Sequence, residues 1–171
     1  LNGRQGFALL LNLSVPANKG TVCLSAKAQK GRQMVNTKRK KYRTMIVEDD
    51  PMAARHLEMM LDRMEEICIS YVIENALMAE AYCCREQIDL ILMDVCTAMN
   101  ASGLEAAGKI KKNFPAVKIL ILTSQLDPEL LRRAREAKIE GFCYKLSDDS
   151  EITAAICAVL NGENVYPDEI P

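Results

Sequence analysis

The 171-residue chain has no tryptophan, and its aromatic residues supply only 5% of it. Any core it builds must therefore be aliphatic. No window of 18 consecutive apolar residues occurs, so the sequence holds no candidate membrane-spanning helix. There is one histidine, His56, and no CxxC pair, which argues against a zinc site. The seven cysteines are odd in number and irregular in spacing, unlike a secreted disulfide framework. Most of them read as buried small hydrophobes in a reducing cytoplasm. Acidic residues are missing from positions 1–43, where ten Lys and Arg lie.

What is present suits a folded domain: 49% of the residues are hydrophobic and 26% charged. The remaining twelve basic residues stand against all 23 acidic ones, so a basic segment precedes an acidic domain. Residues 1–42 show no sustained period, carry the run Lys38-Arg39-Lys40-Lys41, and are expected to form a disordered extension.

From Thr44 onward short apolar runs alternate with amphipathic stretches. Met45–Val47, Ile67–Ile73, Ile88–Met93, Val117–Leu122 and Gly141–Tyr144 read as five strands. Between them lie helical patterns with recognisable starts. Asp50-Pro51 and Asp127-Pro128 are N-cap and N1 pairs, Asn75 can cap a helix running to about Glu86, and Ser102–Glu105 fits a capping box. A last helix carries Ile152, Ala155, Ile156, Val159 and Leu160, and Gly162 can end it. Strands apolar on both faces and separated by helices predict an α/β fold, a parallel five-stranded sheet covered on both sides in three layers.

In such sheets ligands bind beyond the carboxyl ends of the strands. Those ends hold Glu48 and Asp49, then Asp94, Thr123-Ser124 and Lys145. Neighbouring first and third strands would bring three carboxylates together, which repel unless a cation compensates them. Carboxylate and carbonyl oxygens suit Mg²⁺, with phosphate oxygens completing its shell. A hydroxyl and an ammonium at the same rim complete a phosphoryl-binding site.

From about Arg43 to Asn164 the sequence resembles the receiver domain of bacterial two-component response regulators. The resemblance is carried by Val47-Glu48-Asp49-Asp50-Pro51, Leu90–Asp94, Gly103-Leu104-Glu105-Ala106, Ile121-Leu122-Thr123-Ser124 and Gly141–Lys145. The Gly162-Glu163 ending is similar to the LuxR-type subgroup. The resemblance implies a flavodoxin-like (βα)5 sandwich with strand order 2-1-3-4-5. It makes 43–164 the receiver and 165–171 the start of a linker to an output domain. It implies that Asp94 accepts a phosphoryl group from a sensor histidine kinase. Mg²⁺ would be bound by Asp49, Asp94 and the Cys96 backbone carbonyl, with Glu48 acting through water. Lys145 and Thr123 would contact the phosphoryl oxygens, and Phe142 would be the switch aromatic. The expected role is a cytoplasmic signalling module rather than an enzyme, at most slowly dephosphorylating itself. A homodimer is allowed, and DNA would be reached only through an output domain.

Two features depart from the resemblance. The loop after Asp94 lacks the family's usual Met-Pro-Gly and is one residue longer. The chain leaves no room for a helix-turn-helix before Pro171, so the alternative is a stand-alone receiver acting by docking. A Mg²⁺-dependent aspartyl-phosphate hydrolase would need a second acid where Cys96 stands. A flavodoxin-like cofactor binder would need a phosphate loop where Glu48-Asp49 stand.

Overall fold

Five of the strands align in one parallel sheet because their residues alternate between two apolar layers. In a computed structural model that describes residues 41–167, the elements run β1 (Tyr42–Val47), α1 (Pro51–Leu61), β2 (Ile67–Ile73), α2 (Ala79–Arg85) and β3 (Leu90–Asp94). A hairpin of β4 (Cys96–Thr97) and β5 (Ala101–Ser102) follows, then α3 (Gly103–Asn113), β6 (Lys118–Thr123), α4 (Pro128–Glu136), β7 (Gly141–Tyr144) and α5 (Asp149–Leu160). The sheet order is β2-β1-β3-β6-β7, the expected 2-1-3-4-5 once the short hairpin strands take two numbers. The expected extension lies outside the described residues except for Lys41 and Tyr42, as do residues 168–171 of the expected linker. No helix of the described residues is long and apolar enough to cross a membrane.

Period-2 alternation sorts the core. Met45, Val47, Ile91, Met93, Ile119, Ile121 and Phe142 face α2, α3 and α4, whereas Ile46, Leu90, Leu92, Leu120 and Leu122 face α1 and α5. Each fully buried Leu or Ile contributes about 1.5–3 kcal/mol, so the two layers together outweigh any single surface contact.

The helix signals operate with two amendments. Asp50 accepts hydrogen bonds from Met52 and Ala53 N–H at 2.7 and 3.1 Å, and Asp127 accepts from Glu129 N–H at 2.9 Å. Asn75 caps a 3₁₀ turn, Ala76–Met78, and the α-helix begins only at Ala79. Ser102 accepts from Glu105 N–H, but the Glu105 carboxylate faces Arg133 at 3.7 Å, so only half of the capping box forms. Gly162, at φ +92°, closes α5: its N–H bonds the Val159 carbonyl and the Glu163 N–H bonds that of Ala158.

The chain then turns back. Val165, inside the segment read above as the start of a linker, sits on the outer edge of β7, accepting from Phe142 N–H and donating to the Glu140 carbonyl. Tyr166 beside it donates to the Ile139 carbonyl and lies under the Arg135 guanidinium.

The expectation that most cysteines are buried fails. Cys83 is buried and Cys143 half-buried, their thiols pushed up to about 11 by burial, whereas Cys68, Cys84, Cys96 and Cys157 are exposed. Cys84 and Cys157 are exposed on α2 and α5, each directly after a buried residue, Cys83 and Ile156.

Candidate functional site

The parallel ladder of β1 and β3 pairs Val47 with Met93, so the residues that follow these partners emerge side by side. Glu48, Asp49 and Asp94 consequently offer carboxylate oxygens that all lie within 4.8 Å of one another. Glu48 is 2% exposed and Asp94 8%, while Asp49 is open to solvent. Lys145, just past the end of β7, reaches between the two buried acids, its Nζ 2.6 Å from Glu48 Oε2 and 3.2 Å from Asp94 Oδ1.

Burial pushes both carboxyl groups above their ordinary range while Lys145 pulls them down, and the Asp94 charge raises Glu48 further. Asp49 also raises Asp94. Burial alone would lower Lys145, yet its bonds to Glu48 and Asp94 hold its pKa up. Three acids against one ammonium leave a double negative excess. That charge and an all-oxygen donor set fit a divalent cation such as Mg²⁺.

The backbone completes the corner. Val95 N–H donates to Asp94 Oδ1 at 2.8 Å, and Asp50 N–H donates to Glu48 Oε1 at 3.3 Å. Thr123 is buried one residue beyond the Asp94–Leu122 pair. Its Oγ1 accepts from Gln125 N–H at 3.1 Å, and its carbonyl accepts from Lys145 N–H at 2.8 Å. Cys96 is exposed on β4, its Sγ accepting from the Gln125 side chain at 3.0 Å. Phe142 does not reach the corner; it is fully buried in the core, edge-on to Tyr144 at 5.6 Å.

The unusual loop after Asp94 forms the hairpin of β4 and β5. Met99 and Asn100 take consecutive left-handed conformations at φ 63° and 55°, the backbone of a tight hairpin turn. Asn tolerates this region and Met does so at a cost. Thr97 holds the hairpin in place: its buried hydroxyl accepts from Ala76 N–H and donates to the Ala101 carbonyl, both at 3.0 Å. Ala98 N–H adds a bond to the Glu74 carbonyl.

Gly103 ends the loop, and a Cβ there would lie 1.8 Å from the Asp94 carbonyl oxygen. Only glycine lets α3 start this close to β3. Sequence reading placed Glu48, Asp49, Asp94 and Lys145 together correctly. It missed Thr97, the Gly103 contact and Gln125, for which the residue types carried no local signal.

A family model described as response regulator receiver domain matches residues 44–157. The response regulator protein VraR of Staphylococcus aureus is 34% identical over 82 residues, 48% of this chain and 39% of VraR. The matched segment thus spans about two fifths of the length of that curated relative. Among solved structures, a two-component response regulator of the LuxR family from Aurantimonas sp. SI85-9A1 superimposes with a TM-score of 0.71 at 26% identity, covering 77% of this chain and 93% of that one. The isolated REC domain of RcsB from Salmonella enterica serovar Typhimurium, in the presence of phosphomimetic BeF3⁻, gives 0.69 at 19% identity over 77% of this chain and 96% of that one, a likeness of fold.

Proposed function

The chain belongs to the response regulator receiver domain family, the phosphoacceptor part of two-component signalling, and we propose that Asp94 is its phosphoryl acceptor. The observation that carries this reading is the corner itself: a buried carboxylate at the end of the central strand, crowded by two acids and bridged by one lysine.

Val95 N–H and Lys145 hold Asp94 Oδ1, fixing the carboxylate plane and leaving Oδ2 to attack phosphorus. The new P–O bond forms as the P–N bond of a phosphohistidine donor breaks, and the imidazole takes the electron pair. The product is an acyl phosphate with one more negative charge than Asp94 had. Lys145 would shift its donors toward that group, and the Thr123 hydroxyl would donate to another of its oxygens.

Asp49, Asp94 and the Cys96 carbonyl would hold Mg²⁺, with Glu48 acting through water. The ion would supply charge neutralisation for the phosphoryl oxygens. Phe142 is the aromatic proposed to follow a movement of Thr123. The receiver is proposed to act in the cytoplasm with a sensor histidine kinase as donor, and the outcome to be a switch in transcription through an output domain, with a homodimer as one route. Loss of the phosphoryl group would be slow, since Cys96 stands where a hydrolase carries its acid.

Incubation with acetyl phosphate and Mg²⁺, followed by intact-mass measurement, tests the assignment. The wild-type chain should gain the mass of one phosphate and Asp94→Asn none. Equal gain in both would overturn it.

A further inference from the structure

From Thr44 onward the chain is short of positive charge, with twelve Lys and Arg against 23 acidic residues. Five of those twelve, Lys109, Lys111, Lys112, Arg133 and Lys138, line one groove of about 1010 Å³ between α3 and α4. Three acids share the groove, and each already faces a cation. Glu140 is 2.6 Å from Lys111, Glu105 lies 3.7 Å from Arg133, and Glu136 is paired with Arg132. Lys109, Lys112 and Lys138 are exposed and have no acidic partner among the described residues. The nearly buried Lys111–Glu140 pair is closed on itself, so the free charge of the groove is these three ammonium groups.

Lys138 is kept there against the preference of its backbone. It follows the C-cap of α4 at φ 57°, its N–H bonding the Arg135 carbonyl and the next N–H that of Ala134. Helices that end this way usually carry glycine at this position, because a side chain there crowds its own backbone. Gly108 shows the reverse. A Cβ on it would meet only Ala137 Cβ, at 3.8 Å, an ordinary contact, so packing does not demand a glycine. Its missing side chain instead leaves the groove open.

The lining selects an occupant. Free ammonium groups call for acidic groups, and Leu104, Pro115 and Ala137 offer an apolar strip for aliphatic side chains. No aromatic ring of the described residues lines the groove, so a nucleobase would have nothing to stack on. The Glu105 and Glu136 carboxylates disfavour a compact phosphate cluster, yet can accept hydrogen bonds from peptide N–H groups. From Leu104 to Lys112 the helix rises about 12 Å, the span of about four extended residues.

We propose that the groove between α3 and α4 docks a short acidic, aliphatic peptide segment of a partner protein, gripped by Lys109, Lys112 and Lys138. The site is separate from the Asp94 corner and does not depend on the phosphoryl reading.

The probe is a fluorescein-labelled peptide alternating Leu and Glu, its anisotropy followed against the full chain. The wild type should bind it, and raising the salt should weaken the complex. Lys109→Gln, Lys112→Gln and Lys138→Gly combined should weaken it about tenfold. Gly108→Leu, which fills the groove, should abolish it. Both variants put a residue suited to the local backbone in place, so their denaturation midpoints should match or exceed that of the wild type. The basic residues of positions 1–43 could attract the same probe, but both variants leave them unchanged. Binding of wild-type strength in either variant would therefore overturn the proposal, as would a wild type that fails to bind the probe at low salt. Displacement of the probe by an equal concentration of inorganic pyrophosphate would assign the groove to small anions. A dimer seen in sedimentation and lost in Gly108→Leu would assign it to a second copy. Either result would overturn the peptide assignment.

Discussion

At the amino ends of the strands Glu140 is buried in a matched set, while at the carboxyl ends Glu48 and Asp94 share a single lysine. Glu140 Oε1 lies 2.6 Å from Lys111 Nζ and 3.6 Å from Lys118 Nζ, and its Oε2 accepts from Ile119 N–H at 3.0 Å. Lys111 spends its remaining donors on the Pro115 and Val117 carbonyls at 3.0 and 2.7 Å. The buried Glu140 and Lys111 there have full shells and Lys118 is partly in solvent, so nothing in that corner calls for a ligand. At the other end a third acid joins the pair, and anionic charge exceeds cationic. The same sheet therefore buries charge in two ways. One end is closed by its own side chains, and the other is left with anionic charge in excess, as the proposed cation and phosphoryl site requires.

The sharpest way to break this comparison is to unmatch the closed end. Glu140→Ala strands the buried Lys111 ammonium and should cost about 3–5 kcal/mol, read as a lower midpoint in urea. A loss under about 1 kcal/mol would show that water reaches the pair and that the contrast is false.

The open end should respond to a ligand where the closed end does not. At one hundred times its dissociation constant, Mg²⁺ should stabilise the wild type by about 2.7 kcal/mol. Asp49→Asn should lose most of that gain when melted at the same Mg²⁺ concentration, and Glu140→Ala should keep it.

The smallest effect is in pH. The folded-state pKa values of Glu48 and Asp94 are raised, so their contribution to stability is fully present below the unfolded carboxylate range and is lost as pH rises through the folded values. Without metal, the contribution of these two groups should therefore fall from acid to neutral pH, opposed by Asp50, Glu129 and Asp148, whose hydrogen bonds hold their carboxyl groups low. Asp94→Asn should flatten that fall and match or exceed the wild type at neutral pH. Denaturation curves at several pH values in chelator would check this; a variant less stable than wild type at pH 7 would contradict it.

Much of this contrast could be read from the chain. Asp50, Asp127 and Gly162 act where local capping rules put them, and β2 and β7 have the expected bounds, because apolar runs bounded by polar residues are local signals. Strand-end position also grouped Glu48, Asp49, Asp94 and Lys145. Glu140 looked like any surface glutamate, since its partners lie 22 and 29 residues away. The loop after Asp94 showed only what it lacked. Its hairpin depends on Thr97 bonding across to Ala76, a contact no local pattern encodes.

The return of Val165 to β7 bears on where this domain physically stops. An outer strand with free N–H and C=O groups is a template on which another chain can pair, and proteins guard such edges. Val165 occupies the Phe142 N–H and the Glu140 carbonyl, and Tyr166 fastens the segment under Arg135. The match to the family model ends at residue 157, eight residues before this guard. A chain trimmed to that match would keep the acidic corner, but it would lose the end of α5 with the buried Val159 and expose the strand that carries Phe142 and Tyr144. Its failings would be lost core packing and self-association through that bare edge, which no inspection of the acidic corner would explain.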